Sequence, residues 1–481
     1  MKVLFAAAEC APFFKTGGLG DVAGALPKEL AKKGAELSVV LPYFTKMPET
    51  FKTQCDDLTN FYVEVGWRHQ LCGIKRLEMN DVTYYFIDNS YYFDRENLYG
   101  YDDDGERFAF FSLAIIEMLE KIDLFPDVIH VNDFHTAMIP FLLKEKYQWI
   151  EAYRSIKTLL TIHNIEFQGA YSQDLLPDYF GMGLDRYYDG AARFGDGVNY
   201  LKTGILYADR VNTVSPSYAE EIKTPEFGFG LDGVLRLEQE KLSGILNGID
   251  YEMNNPETDK SIPANFSIHD LTGKKKNKQA LQMKMALPVR DDVPLIGIVS
   301  RLTFQKGFHL ILDDLAKLLE KDVQLVLLGT GDPGIEQSFD YFSDHYPTKF
   351  KTKIMFDVDL AQLIYAGSDL FMMPSATEPC GLSQMIAMRY GTLPIVHEIG
   401  GLKDSVIPFN PVTKAGTGFG FSDFSSYYLM YSTNMAIDLY WNDQKNWKQL
   451  MKSAMAKDFS WEKSSRLYLD LYQKMVNPLK L

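Results

Sequence analysis

Cysteine is scarce in this sequence, and none of its four cysteines forms a C-x-x-C pair. This excludes a disulfide framework and a cysteine-based zinc site, and it favours a reducing, cytoplasmic location. Long hydrophobic runs are missing too, since none reaches the ~18 residues of a transmembrane helix. The apolar start is broken at Glu9, before the ~7–15 residues of a signal-peptide core are complete, so it predicts a strand. We therefore expect no membrane partner.

Positive charge is also in deficit. Lys and Arg number 49 against 64 Asp and Glu, which gives a net charge of −15 at pH 7. An acidic surface argues against nucleic acid or an anionic membrane as the main partner. An anionic ligand would need a local cluster of Lys and Arg. At 481 residues the chain is too long for one core, so two large domains are predicted.

Apolar runs typical of buried strands alternate with helical patterns in two series. The candidate strands are 3–8, 37–41, 127–131, 158–162 and 210–214 in the first series, and 295–299, 324–328, 353–356, 370–373 and 393–396 in the second. This alternation predicts parallel sheets, and two series predict two doubly wound α/β domains with a ligand cleft between them. We expect domains at 1–247 and 248–460, with the helical segment 461–481 completing the first.

A glycine-rich loop, Lys15–Asp21, joins the first predicted strand to a predicted helix over 22–30. Glycines such as Gly18 let backbone N–H groups approach an anion, and the helix N-terminus adds partial positive charge. Lys15 supplies a full charge. The loop therefore predicts a site for a phosphate-bearing ligand.

The same glycines allow an alternative, because Gly18–Ala23 and Gly329–Gly334 both fit the dinucleotide fingerprint of NAD-dependent oxidoreductases. That fingerprint requires an acidic residue ~20 positions later, at the end of the second strand. After the first match this strand ends at Leu41–Tyr43 without one, and the second match contains Pro333 in the turn that opens the helix. We disfavour NAD and interpret the second match as a plain strand-to-helix turn.

Two basic residues, Arg301 and Lys306, follow the first strand of the second series. The guanidinium fork and the ammonium point charge suit a diphosphate. The alternative is a surface loop whose cations pair with acidic neighbours. Their position at the carboxyl end of a strand, where α/β sheets bind ligands, favours the functional interpretation.

A loop that holds Glu378 and Cys380 follows a later strand and leads into a predicted helix near Gly381. The helix N-terminus could bind phosphate, and Glu378 could accept hydrogen bonds from sugar hydroxyls. The structural alternative is that Glu378 complements the helix dipole and that Cys380 only packs.

Other polar motifs are ambiguous. His135 and His163 both follow strands, a position that favours a cleft, although single histidines are usually structural. The run Asp102–Asp104 is similar to a metal clamp, yet solvated acids at a helix N-terminus explain it equally well. The run Lys274–Lys276 is interpreted as a solvated loop or helix end.

Together these motifs resemble those of bacterial glycogen synthases and plant starch synthases, which are retaining glycosyltransferases of family GT5. The matching stretches are Lys15–Pro27, Leu98–Gly100, Glu106–Phe111, Asn132–Thr136, Thr161–Asn164, Thr213–Tyr218, Gly244–Asp250, Ser300–Leu302, Gln305–Gly307 and Pro374–Gln384. The resemblance implies a GT-B architecture of two Rossmann-like domains that face a deep cleft. It further implies transfer of glucose from ADP-glucose to the non-reducing-end 4-hydroxyl of glycogen or a malto-oligosaccharide.

The resemblance also implies site residues, with no cofactor and no metal. The catalytic residues would be Arg301 and Lys306 on the diphosphate, Glu378 on the transferred glucose, and His163 beside the reacting sugar. Further substrate-binding positions would be Lys15, Gly18, Asp21, Asn164, Asn247, Cys380, Gly381 and Leu382. Two positions depart from common patterns. Phe134 stands where tryptophan is frequent, and Ile386 leaves the E-x7-E pair of many related transferases incomplete.

Several alternatives stay open: UDP-glucose as the donor, another glycan as the acceptor, and a catalytically silent glycan-binding protein. The intact Lys15, Arg301, Lys306 and Glu378 argue against a silent protein. The oligomeric state is left undetermined by the sequence.

Overall fold

The computed structural model describes residues 1–477, whose contacts divide the chain into two compact units. The first unit is Met1–Asn247 together with the segment that begins at Trp461, and the second is Gly248–Ser460. Positions 478–481 of the expected terminal segment lie outside the described residues. Among the described residues, no helix is long and apolar enough to cross a bilayer.

The first unit contains twelve strands within its described residues. They are β1 (Lys2–Ala6), β2 (Glu36–Pro42), β3 (Asp56–Val65), β4 (Arg68–Met79), β5 (Val82–Asp88), β6 (Val128–Asn132), β7 (Lys157–Ile162), β8 (Ala170–Ser172), β9 (Arg193–Phe194), β10 (Gly197–Asn199), β11 (Arg210–Thr213) and β12 (Leu242–Gly244). Nine form one sheet in the order β12-β11-β7-β6-β1-β2-β5-β4-β3, and β8, β10 and β9 form a small antiparallel sheet.

The helices of the first unit cover this sheet. They are α1 (Gly18–Lys32), α2 (Glu49–Lys52), α3 (Ser90–Phe93), α4 (Asp104–Lys121), α5 (Asp133–Thr136), α6 (Met138–Glu145), α7 (Leu175–Phe180), α8 (Asp185–Tyr188), α9 (Tyr200–Tyr207), α10 (Pro216–Glu221) and α11 (Asp232–Leu237). The apolar run FAFFSLAII places α4 in the core, since every residue of Arg107–Ile116 is buried.

The second unit is a six-stranded parallel sheet with helices between its strands. Its helices are α12 (Thr272–Lys284), α13 (Phe308–Glu320), α14 (Pro333–His345), α15 (Val358–Gly367), α16 (Ser383–Arg389), α17 (Gly400–Ser405), α18 (Ser426–Asn442) and α19 (Gln444–Met455). Its strands are β13 (Leu295–Val299), β14 (Gln324–Leu328), β15 (Phe350–Lys353), β16 (Leu370–Met373), β17 (Leu393–His397) and β18 (Phe419–Phe421), in the order β15-β14-β13-β16-β17-β18.

The predicted parallel sheets are confirmed from β12 to β5 and throughout the second unit. The strands β3 and β4 were not predicted. They pair antiparallel, and their alternation is weak because most of their residues are partly or fully exposed. The predicted strand 353–356 was wrong by three residues, because the buried anchor of β15 is Phe350 and Phe356 is 86% exposed.

The predicted C-terminal helix is confirmed as α20 (Trp461–Val476), which packs on α1 in the first unit. Its Ser464 hydroxyl donates to the Leu246 carbonyl at 2.6 Å. Its Tyr472 hydroxyl bonds the buried Nδ1 of His130 at 2.7 Å. These two contacts fix the helix to the back of the sheet that carries the first group of candidate residues.

Candidate active site

In the first unit, the candidate side chains follow three adjacent parallel strands, β7, β6 and β1. The carboxyl ends of parallel strands meet at one edge of a sheet, where α/β proteins bind ligands. Glu9 follows β1, Asp133 follows β6 and His163 follows β7. The topology therefore brings these three positions to one edge.

Glu9 organises the glycine loop. Its buried carboxylate accepts hydrogen bonds from the Thr16 N–H at 2.6 Å, the Thr16 hydroxyl at 2.8 Å and the Gly20 N–H at 3.0 Å. A negative charge at the N-terminus of α1 is favourable. Two N–H groups that the sequence offered to a ligand phosphate thus bind the chain's own carboxylate. Sequence reasoning missed Glu9 because its partners lie 7 and 11 residues away.

Lys15, Gly18 and Asp21 are brought together by this loop. The Lys15 ammonium lies 2.6 Å from the Asp21 carboxylate, and both side chains are partly exposed. A Cβ at Gly20 would lie 2.4 Å from the Lys15 Cβ, so a glycine is required where α1 passes Lys15. Gly18 is the first residue of α1, with open space where a side chain would be.

His163 has a defined protonation state. Its Nε2 lies 2.8 Å from Asn132 Oδ1. The Asn132 amide nitrogen donates to the Ala6 carbonyl at 3.0 Å, so Oδ1 faces the ring and Nε2 must carry the proton. Burial lowers the pKa of His163 to about 3. The imidazole is therefore neutral at pH 7, with Nδ1 as a hydrogen-bond acceptor.

Asp133 supports the turn that carries His163 and Asn164. Its carboxylate accepts from the His163 N–H at 2.7 Å and from the Asn164 N–H. Burial raises the pKa of Asp133 to about 7, and the nearby Glu9 charge acts in the same direction. Asp133 lies within the sequence motif Asn132–Thr136, where the pattern favoured His135 as the candidate.

His135 is a core residue. Its ring packs 5.0 Å from Tyr99 and 4.6 Å from Phe108. Neither ring nitrogen has a hydrogen-bond partner in residues 1–477, and burial lowers its pKa to about 3. The structure thus places this histidine among buried aromatic side chains of the first unit.

Asn247, near the end of β12, carries an unused acceptor. The residue is buried, and its Oδ1 has no hydrogen-bond partner within the described chain. A buried acceptor without a partner costs ~1–3 kcal/mol. The position predicted from the sequence thus has an atom that a ligand hydroxyl would satisfy.

A cavity of about 490 Å³ lies beside this edge of the first unit. Phe134 and the segment Glu166–Tyr171, which follows Asn164, form its walls together with Phe229. Gly169 has φ +64°, and a Cβ there would lie 2.5 Å from the Phe134 ring. The glycine therefore allows the segment to close on Phe134. The volume and aromatic walls are typical of small-molecule pockets.

In the second unit, the candidate residues follow the adjacent strands β13 and β16. The Lys306 ammonium lies 2.6 Å from Glu378 Oε2, and the two side chains are 19% and 9% exposed. The Ser375 hydroxyl donates to the same oxygen at 2.9 Å. Oε1 makes no hydrogen bond to a described residue, so it is available to a ligand.

The loop that carries Lys306 is locked onto the loop after β16. Gly307 has φ +74°, and a Cβ there would lie 1.9 Å from the Pro374 carbonyl oxygen. The Ala376 N–H donates to the Gln305 carbonyl at 2.8 Å. Only glycine fits at this close approach, which places the lysine before it beside Glu378.

Arg301 is exposed and forms no ion pair with an acidic side chain of the described residues. The alternative raised from the sequence, a surface loop whose cations pair with acidic neighbours, therefore does not hold for Arg301. For Lys306, the acidic partner is itself a candidate site residue. The two predicted cations thus lie in the same loop. Lys306 pairs with Glu378, and Arg301 has no acidic partner among the described residues.

Cys380, Gly381 and Leu382 precede α16, which begins at Ser383. Gly381 has φ +70°. Cys380 is buried, and a Cβ at Gly401 would lie 2.0 Å from its carbonyl oxygen. The segment is thus held by close backbone packing. Sequence reasoning missed the buried His397, whose Nδ1 bonds the Ser375 carbonyl at 2.7 Å.

The remaining motifs have structural explanations. Asp332 caps α14 by accepting from the N–H groups of Gly334 at 2.8 Å and Ile335 at 3.1 Å, which confirms a plain turn. Asp104 binds the Arg107 guanidinium at 2.5 Å. Across positions 1–477, no group of three or more His, Cys, Asp or Glu is placed to hold a metal ion.

Comparison with known proteins gives the family. The starch synthase catalytic domain family matches residues 2–237, and the glycosyl transferases group 1 family matches residues 282–423. The glycogen synthase of Ligilactobacillus salivarius is 61% identical over 477 residues, which is 99% of this chain and 100% of that protein. That of Streptococcus gordonii is 59% identical over 476 residues, with the same coverage.

A solved structure agrees with these relatives. The catalytic domain of starch synthase IV from Arabidopsis thaliana, bound to ADP and acarbose, is similar with a TM-score of 0.90 and 35% identity, covering 99% of each chain. The alternation of helices with parallel strands in both units is that of the GT-B glycosyltransferases. The chain belongs to the glycogen and starch synthase family of glycosyltransferases.

Proposed function

We propose that this protein synthesises glycogen by transferring glucose from ADP-glucose to the non-reducing-end 4-hydroxyl of an α-1,4-glucan, with retention of configuration. The observation that carries the proposal is the Lys306–Glu378 pair beside the unpaired Arg301. Together these residues offer a carboxylate to sugar hydroxyls and two cations to a diphosphate. The glycogen synthases among the relatives, and the ADP and acarbose bound to the Arabidopsis domain, support the same substrates.

Cleavage of the donor requires stabilisation of the charges that develop in the transition state. Cleavage of the C1–O bond develops negative charge on the diphosphate and positive charge on the sugar. Arg301 and Lys306 stabilise the leaving group, and loss of one such group commonly costs ~10²–10³ in rate. Glu378 Oε1 holds the transferred glucose, while Cys380, Gly381 and Leu382 contact the donor. These two cations supply the charge, so the proposal requires neither a metal nor a cofactor.

The first unit supplies the remaining contacts. The neutral His163 accepts a hydrogen bond from a sugar hydroxyl at Nδ1. Asn164 and the unpartnered Oδ1 of Asn247 form hydrogen bonds with further hydroxyls. Lys15, with Gly18 and Asp21, acts on the donor during the reaction. The aromatic cavity at Phe134 and Phe229 takes the glucan acceptor, because ring faces suit the apolar faces of sugars.

Retention requires a route that preserves the configuration at C1. A double displacement needs a carboxylate nucleophile on the far face of the sugar, and the role proposed here for Glu378 is to accept hydrogen bonds from the glucose hydroxyls through Oε1 rather than to attack C1. We therefore favour attack of the acceptor hydroxyl on the same face as the leaving group. The C1–O bond to the diphosphate breaks, the bond to the acceptor oxygen forms, and the departing phosphate takes the hydroxyl proton. A trapped covalent glucosyl-enzyme would contradict this route.

The deciding experiment incubates the protein with glycogen and either ADP-glucose or UDP-glucose. We expect ADP release in step with chain growth, and little UDP release. Arg301→Ala should lower the rate about 10²-fold, whereas Lys317→Ala, at an exposed pair with Asp314, should leave it unchanged. Faster turnover of UDP-glucose would reassign the donor, and growth on a different glycan would reassign the acceptor. We place the activity in the cytoplasm, which the scarcity of cysteine and the lack of a C-x-x-C pair in the sequence support.

A further inference from the structure

A second cavity, of about 270 Å³, lies within the second unit against its edge strand β18. The first turns of α18 and the segment 408–409 complete its walls. None of its lining residues is among those assigned above to the donor. The volume lies near the lower end of the ~300–1,000 Å³ range of ligand pockets, so it suits a short stretch of a chain rather than a folded partner.

Tyrosine side chains dominate the open wall of this cavity. Tyr427, Tyr428 and Tyr431 are 68%, 42% and 57% exposed, and they stand on one face of α18. The rings of Tyr427 and Tyr428 meet edge to face at 5.1 Å. These three exposed aromatic side chains lie within five consecutive positions and line one cavity, and clustered apolar surface marks an interaction site more often than scattered single residues do.

The floor of the cavity contains an unused carboxylate. Glu398 is partly buried, and its side chain makes no hydrogen bond or ion pair with a described residue. Its backbone N–H donates to the Phe421 carbonyl at 2.9 Å. A Cβ at Gly420 would lie 2.8 Å from Glu398 Oε1, so the glycine leaves room for this carboxylate. A carboxylate without a hydrogen-bond partner among the described residues thus lines the same cavity as the tyrosines.

We infer that this cavity is a second binding site for an α-glucan chain, separate from the acceptor cavity of the first unit. Tyrosine rings cover the apolar faces of sugar rings, and their hydroxyls bond sugar hydroxyls. The Glu398 carboxylate accepts from further hydroxyls in stronger, charge-assisted bonds. The inference rests on the proposed function, because a second contact with the same polymer raises its effective concentration at the active site.

Aromatic rings beside a carboxylate also suit an organic cation. The exposure of all three tyrosines favours the glucan, because the rings form an open platform rather than a closed cage. The two ligand classes are separated by competition. Maltohexaose should displace the protein from glycogen, and tetramethylammonium should not. Displacement by tetramethylammonium alone would overturn the inference.

The test is electrophoresis of the full-length protein in gels that contain glycogen, without donor. The double variant Tyr427→Ala/Tyr431→Ala should bind glycogen about tenfold more weakly, since aromatic anchors dominate such contacts. The single variant Glu398→Gln should weaken binding about threefold, because an amide keeps one acceptor but loses the charge. The matched control is Tyr341→Ala on α14 of the same unit, where the tyrosine is also 57% exposed. This control should bind like the wild type.

Activity measurements keep this inference distinct from the proposed function. With ADP-glucose and saturating maltotetraose, the double variant should turn over like the wild type, because an acceptor supplied at saturation needs no second contact to raise its local concentration. An unchanged glycogen affinity of the double variant would overturn the inference alone. A wild-type protein that binds glycogen through these tyrosines but transfers no glucose would contradict the proposed function alone.

Discussion

Lys306 and Glu378 form a close ion pair, with 2.6 Å between Nζ and Oε2, although they follow two different strands of the second unit. Both side chains are mostly buried, and each neutralises the charge of the other. Ser375 adds a hydroxyl to the same oxygen. A diphosphate arriving at Lys306 would find a cation whose position is already fixed.

The first prediction separates the two roles of this pair. Lys306→Ala should lower the thermal midpoint, because it leaves Glu378 unpaired, and should lower kcat about 10²–10³-fold. Adding Glu378→Gln removes the stranded charge and should restore the midpoint without restoring kcat. Thermal melts and glucan synthesis assays on both variants provide the check. Recovery of kcat in the double variant would mean that Lys306 acts only on the fold.

The second prediction concerns Gly307. Alanine there would place its Cβ 1.9 Å from the Pro374 oxygen at φ +74°, so we expect the clash to move the neighbouring lysine and to reduce activity together with stability. Gly34→Ala is the matched control, because φ is +88° and no heavy atom lies within 4 Å of the added Cβ. The control should lose only ~1–2 kcal/mol of unfolding free energy, the cost of the left-handed conformation, and should retain activity. Equal effects of the two changes would show that the contact with Pro374 yields easily.

The sequence predicted what short-range patterns encode. The strands at 295–299, 324–328 and 370–373 were located to the residue, since each is a short apolar run between polar segments. The polar strands β3 and β4 carry no such signal. The run Lys274–Lys276 shows a different failure. A lysine cluster indicates solvent exposure, and Lys275 and Lys276 are exposed, but Lys274 and the nearby Lys278 lie on the inner face of α12 and are buried.

Site residues divide in the same way. Lys306 and Glu378 could be found because each lies in the loop that follows a predicted strand, seven and five positions after the last residues Val299 and Met373. Glu9 could not, since its importance comes from the backbone of a loop that folds back onto it. Asp133 was within a recognised motif, but only the fold shows that its carboxylate, rather than the ring of His135, faces the turn at His163.

The third prediction concerns Lys15, which pairs with Asp21 at the surface of the glycine loop. Because it is proposed to act on the donor during the reaction, Lys15→Ala should lower kcat more than it weakens glycogen binding. Kinetics at saturating ADP-glucose and gel electrophoresis with glycogen measure the two effects. Lys32→Ala at the far end of α1 serves as the control. Weaker glycogen binding with kcat intact would assign the loop to the acceptor.

The fourth prediction uses the buried carboxyl of Asp133. Its folded pKa is raised to about 7, so the folded state binds more protons than the unfolded state between pH ~4 and ~7. The stabilisation from this proton is complete below pH ~4 and is lost as the pH rises through ~7. Its size is at most roughly 4 kcal/mol. Thermal melts from pH 5 to 8 should show this decline in the wild type, and Asp133→Asn should flatten it. A variant with an undiminished slope would assign the decline to another group.

The last prediction has the opposite sign and concerns Lys274. Its ammonium is buried and donates to the carbonyls of Ala366 at 3.1 Å and Tyr390 at 2.8 Å, and to the Thr392 hydroxyl at 2.7 Å. Burial lowers the pKa of Lys274 to about 7, against the attraction of Asp369. The unfolded chain keeps this proton up to its usual pKa of 10.5, so it binds more protons than the folded state between pH ~7 and ~10.5. The free energy of unfolding should therefore rise with pH across that interval, by at most roughly 5 kcal/mol.

The variant Lys274→Met removes the titrating group, and the difference in thermal midpoint between pH 7 and 9.5 should shrink relative to the wild type. The neighbouring Lys275→Met is the control, because that side chain is 63% exposed and pairs with Asp291 at the surface. It should preserve the wild-type slope. If the slope survives in Lys274→Met, another group causes it. Lys274 then stays protonated in the folded state throughout this pH interval, because its three hydrogen bonds stabilise the ammonium in spite of its burial.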